Sequence, residues 1–161
     1  MGVRIVRRTE RRLLWWAVAT LVLLAGVSGA RADAQGAAPL TISEAWVRPA
    51  PKAGGTSAAY MQIDNRTAQD VTVSHITSAA AEVVEAHRTR DDRGMMRMEM
   101  VPRLIVPAKG RLTLEPGALH LMLIRLRKPL RDGETVPIVF HLADAPAITV
   151  AARVREAEAA R

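Results

Sequence analysis

Between residues 41 and 155 the chain breaks into short alternating segments, most of them stopped by Gly, Pro, Asn or Asp before they could become a helix. Ser57 to Asp64 alternates and ends at Asn65-Arg66. Asp70 to Thr77 places Val71, Val73 and His75 on one face and Ile76 on the other, by the period-two rule for strands. Glu82 to Thr89 leads through Asp92-Arg93-Gly94 into Met95 to Met100. Pro102, Pro107 to Gly110 and Pro116-Gly117 punctuate the next stretch, with strands expected at Arg111 to Leu114 and His120 to Leu126. Arg131-Asp132-Gly133 reads as a hairpin turn, and Val136 to Leu142 and Ala147 to Val154 close the series. Roughly nine strands, with turn signals about every 8–12 residues, predict an all-β fold, an antiparallel sandwich or barrel. No segment keeps a helical period, and no repeat or second domain is visible.

The region before residue 41 reads as an address. Residues 1–12 are basic, Leu13 to Val27 carries no charge, and Ala32-Asp33-Ala34 fits a small-residue cleavage pattern. Residues 1–34 are therefore expected to be a signal peptide cleaved after Ala34, with no stable membrane insertion of the mature chain. Arg11-Arg12 loosely resembles a twin-arginine signal, and an uncleaved anchor is the competing reading. Residues 35–40 form a flexible lead-in, 41–155 the single β domain, and 156–161 an Ala- and Glu-rich tail.

Charge and composition remove several function classes. The net charge of +7 is inflated by the leader; beyond Ala34 there remain 17 basic and 14 acidic residues. Arg88, Arg90, Arg93 and Arg97 alternate with Asp91 and Asp92, and aromatics are 3% of the chain, so no nucleic-acid partner is expected. The absence of cysteine excludes disulfides, thiolate nucleophiles, a blue-copper centre and a lipid anchor built on Cys. No nucleophile elbow, suggestive carboxylate pair or hydrolytic metal motif appears, so no catalytic residue is assigned and the chain is not expected to be an enzyme.

What remains is sulfur and imidazole. Met95, Met96, Met98 and Met100 fall in one hexapeptide, and His120-Leu121-Met122 puts a histidine and a thioether on one strand face. His87 lies in the strand feeding the turn into the methionine cluster, and a hairpin at 92–94 would bring it close to Met98. Two imidazoles and two thioethers would be a neutral, soft donor set that favours Cu(I) over Cu(II) or zinc. Methionine in a strand is also ordinary core filler, and both readings stand on residue type alone. His75 and His141 have no soft partner nearby in sequence and read as structural or exposed.

The full spacing is H-x10-M-x21-H-x-M, from His87 through Met98 and His120 to Met122. It resembles the signature of the periplasmic copper chaperone PCu(A)C family. The likeness spans about Ala45 to Val154, with supporting stretches at Ala45 to Pro49, Ala58 to Tyr60, Gly94 to Met98, Leu119 to Leu123 and Leu130 to Pro137. Arg88 and the pair Ala118-Leu119 depart from the family's usual residues without touching a ligand position. The resemblance implies a cupredoxin-like Greek-key fold and one Cu(I) per chain held by His87, Met98, His120 and Met122. It implies a periplasmic carrier that delivers copper to the copper A centre of cytochrome c oxidase subunit II, a Sco-type protein, or both. Copper sequestration for tolerance, or a sandwich module without metal, are the alternatives.

Overall fold

The computed structural model describes residues 38–157; the expected signal peptide and the end of the tail lie outside the described residues. The described residues fold into strands: β1 Leu40–Val47, β2 Ser57–Asn65, β3 Val71–Ser78, β4 Ala81–Asp92, β5 Met95–Val101, β6 Leu104–Val106, β7 Arg111–Leu114, β8 Leu119–Leu126, β9 Thr135–Leu142 and β10 Ile148–Val154. They form one sheet that closes on itself. The ring runs β4–β8–β2–β1–β10–β9–β3 and returns to β4 through Ile76 opposite Val84. Strands β5, β6 and β7 are attached to β4, β3 and β2.

The barrel interior is mainly aliphatic, packed around a single phenylalanine, as the shortage of aromatics requires. Phe140, Ile138, Leu121, Leu123, Ile63 and Met61 are at most 2% exposed. Burying each such side chain stabilises the fold by roughly 1.5–3 kcal/mol. Buried Asn65 is fully paired: it donates to the carbonyls of Gln69 and Val106 while its Oδ1 accepts from Thr67, tying the β2–β3 turn to β6.

The structure corrects three expectations from sequence. The barrel is not wholly antiparallel, because β1 pairs with β10 in parallel, Trp46 beside Arg153. Arg131-Asp132-Gly133 turns the chain but makes no hairpin, since β8 pairs with β2 and β4 while β9 pairs with β10 and β3. His75 does not share a face with Val73: the β3–β9 register shifts between them, so Val73 and Ile76 are both buried and His75 is exposed. A single inserted residue of this kind turns every later side chain over. A similar shift between Ser43 and Trp46, with Glu44 at φ 53°, keeps both Ile42 and Val47 beside inward residues of β2.

Two turns flank the strands that carry the histidines and methionines. Asp92 pairs with Met95 across Arg93 (φ 56°) and Gly94 (φ 83°), a two-residue type I′ hairpin whose Gly94 N–H donates to Asp91. Glu115 to Ala118 is a type II turn with Pro116 and Gly117 (φ 80°) at its centre, closed by the Ala118 N–H donating to the Glu115 carbonyl at 3.2 Å.

Candidate metal centre

The centre lies on the outward face of β5, β4 and β8, near the end of the barrel. Inward residues of β4 and β8, Ala86, Leu121 and Leu123, are buried, so their neighbours Glu85, His87, His120 and Met122 face out. Past Arg88, β4 pairs only with β5, and the two strands project as a hairpin. Its two faces differ in chemistry. Met96, Met98 and Met100 share the face of His87, whereas Met95, Arg97 and Glu99 take the other, where Arg90 pairs with Glu99 and Arg97 with Asp92.

Register places the donors. His120 sits directly opposite His87, and the two ring centroids are 6.4 Å apart. An ion about 2 Å from one nitrogen of each ring would lie roughly 3 Å from each centroid, so the two rings can share an ion at a wide angle. Met122 faces Glu85, one step along β4 from His87 on the same side, with the small Ala58 as its other neighbour. Met98 faces Thr89, which makes it a diagonal neighbour of His87; the residue directly opposite His87 is Met100. Directly opposed Cβ atoms are about 5 Å apart and diagonal ones about 7–8 Å, so His87 is the centre of one outward patch, with His120 and Met100 directly opposite it and Met98 and Met122 diagonal to it.

Hydrogen bonds orient both rings. The Ala118 carbonyl, turned in by the Pro116-Gly117 corner, lies 3.0 Å from His120 Nδ1. A carbonyl only accepts, so Nδ1 carries the proton and the Nε2 lone pair is left for another partner. The same carbonyl accepts the Thr89 N–H at 3.1 Å, which ties the base of the hairpin to β8. His87 Nε2 lies 3.0 Å from Glu85 Oε2, so Nε2–H donates to the carboxylate. Its other nitrogen, Nδ1, is buried and without a partner. A buried unpaired ring nitrogen costs about 1–3 kcal/mol, and it is the feature a bound ion would satisfy. Such carboxylate–histidine pairs commonly hold metal-ligating imidazoles in place.

Exposure grades across the patch. His120 is 5% exposed, covered by Tyr60 at 6.3 Å between ring centroids; Trp46 packs on Tyr60, and the Arg155 guanidinium lies over Trp46. The His87 side chain is 17% exposed, while Met98 and Met100 are 56% and 57% exposed. The described residues contain no group of three His, Cys, Asp or Glu arranged for a metal. Beside the two imidazoles and Glu85, the patch offers the thioethers of Met98, Met100 and Met122, donors that favour a soft ion.

Sequence alone gives no role to Glu85 and places Met100 only within the methionine cluster. Glu85 stands two residues before His87, so strand periodicity alone puts them on one face; Met100 needed the β4–β5 register. His75 and His141 lie opposite each other on β3 and β9, stacked at 4.0 Å and bonded to Ser74 and Thr77, and His75 lines a cleft with Glu85 and Met100 at the border of this patch.

Known proteins bear on this geometry. Residues 40–154 match the model of the LpqE-like family, described in terms of lipoproteins. Lxx21020 of Leifsonia xyli subsp. xyli, provisionally named a lipoprotein, is 31% identical over 116 residues, 71% of this chain and 69% of that protein. The solution structure of Cu(I)-DR1885 from Deinococcus radiodurans is 33% identical with a TM-score of 0.57, over 78% of this chain and 85% of that one. The copper-bound PCuAC domain from PmoF2 superposes with a TM-score of 0.63 over 74% of this chain and 95% of that domain; at 19% identity it speaks to the fold, which is cupredoxin-like as expected.

Proposed function

This chain belongs to the LpqE-like, PCu(A)C family of copper chaperones, and on that premise we propose that it carries one Cu(I) ion on His87, Met98, His120 and Met122 and passes it to a copper-accepting protein. The observation that carries the reading is the unpartnered, buried Nδ1 of His87, held by Glu85, opposite a His120 whose Nδ1 is already engaged. The two histidines would form the fixed base of the site. The thioethers would close it from the exposed side, where a partner's donors can replace them one at a time.

Delivery rather than catalysis fits this donor set. Thioethers do not titrate, so loading requires only neutral imidazoles, and no residue is assigned to a chemical step. A blue-copper electron carrier needs a thiolate, and the sequence has no cysteine. Cu(I)-DR1885 is a copper-loaded relative above 30% identity, which supports copper as the cargo. The basic start, apolar run and Ala32-Asp33-Ala34 support export to the periplasm by a cleaved signal peptide as part of this reading. The lipoprotein designation of the relatives would need a cysteine for the lipid, which these 161 residues lack. The proposed recipient is the copper A centre of cytochrome c oxidase subunit II, directly or with a Sco-type protein. Retention of the ion for tolerance would instead require that no such acceptor withdraws it.

The test is a competition titration of the mature protein against a chromogenic Cu(I) chelator, followed by X-ray absorption on the loaded form. The reading expects a 1:1 complex with both nitrogen and sulfur neighbours. Absence of a 1:1 complex, or a shell without sulfur, rules it out.

A further inference from the structure

The hairpin carries more sulfur than the proposed site requires. Met96, Met98 and Met100 stand at every second position of β5 on the His87 face, and each is more than half exposed. They are therefore not core filler, the ordinary role of methionine in a strand. Met100, Met98 and Met96 face His87, Thr89 and Asp91 in turn, in rows about 7 Å apart. Met100, His87 and His120 form one lateral row across β5, β4 and β8. Met98 lies one row nearer the hairpin tip. Both sulfurs hang from unbranched side chains unconfined by packing, so either can reach an ion held by the two imidazoles.

Resting on the copper reading, we propose that Met100 is a second sulfur donor from β5, interchangeable with Met98. The site then has three thioethers, Met98, Met100 and Met122, for two sulfur positions. Exchange is a substitution at the ion: one Cu–S bond forms as another breaks, the copper stays Cu(I), and no proton moves. The consequence is for transfer. When Met98, the sulfur nearer the tip, lets go of the ion, Met100 takes its position from the barrel side, and a partner's donor then displaces Met100 in turn, one bond to copper breaking as each new one forms. The ion keeps its coordination while it leaves, without a bare intermediate.

The experiment compares the intact mature protein with Met98→Leu, Met100→Leu, the double variant, and Met95→Leu on the opposite face as a control. All three substituted positions are exposed, so folding is retained and is checked by thermal melts. Cu(I) affinity is read by chelator competition. Each of the two single changes is expected to weaken binding by less than about tenfold and the double change by more than about a hundredfold, with Met95→Leu neutral. In methyl-labelled protein, Cu(I) is expected to shift the Met98, Met100 and Met122 methyl resonances but not that of Met95. If Met98→Leu alone weakens binding as much as the double variant, or the Met100 methyl does not move, the proposal is overturned while the copper reading survives. If the unmodified protein forms no 1:1 complex, the copper reading itself is lost.

Discussion

Removing the Glu85 carboxylate tests whether the site depends on how His87 is held. The contact is a charge-assisted hydrogen bond of 3.0 Å between Nε2–H and Oε2, with the two side chains 17% and 38% exposed. Without it the ring can turn over or take the other tautomer, and Nδ1 no longer faces the ion as a fixed lone pair. Loss of an orienting partner of this kind typically lowers metal affinity about 10–100-fold, roughly 1.4–2.7 kcal/mol. Glu85→Ala is therefore expected to shift the competition curve by one to two decades. Because the pair is partly exposed, its removal changes fold stability by about 1 kcal/mol or less. Glu85→Gln keeps an oxygen acceptor and is expected to recover most of the affinity. Unchanged affinity in Glu85→Ala would refute the reasoning. So would a glutamine variant as weak as the alanine one, because that would make the negative charge, rather than the held ring, the source of the effect.

Other expectations rest on burial and backbone geometry. Mild peroxide should oxidise Met95, Met96, Met98 and Met100, all at least 56% exposed, before Met61 at 2%; peptide mapping should find Met98 and Met122 protected after Cu(I) loading and Met95 unprotected. Phe140→Ala empties a fully buried position and should cost about 3–5 kcal/mol in a denaturant titration. Gly94→Val forces a branched residue to φ 83° and should destabilise the β4–β5 hairpin by about 1–2 kcal/mol; amide exchange should rise in Met95–Val101 and stay unchanged in the β9–β10 pair. Ala118→Pro leaves the carbonyl but removes the N–H that closes the Glu115–Ala118 turn; Cu(I) affinity should fall, while an unaltered affinity would show that the turn does not orient His120.

The sequence by itself determined what is local. Strand periodicity fixes that Met96, Met98 and Met100 share one face and that His120 shares another with Met122, because side-chain direction repeats every second residue whatever the strand packs against. Arg93-Gly94 and Pro116-Gly117 fix their turns because few residues tolerate those backbone angles. Donor softness, and the absence of a thiolate, are likewise properties of residue type.

Only the tertiary structure decided register and closure. Whether Met98 or Met100 faces His87, and that His120 faces it from the other side, depend on how β4 aligns with β5 and β8, which the barrel core sets by burying Ala86 and Leu121. The bulges in β1 and β3, the parallel β1–β10 pairing and the closure of β3 on β4 are also outcomes of long-range packing. A shift of one residue in any pairing exchanges inside for outside, and nothing within a single strand's sequence carries that information. The orphaned nitrogen of His87 belongs to the same class: it exists because a particular fold buries one edge of the ring and gives the other to Glu85.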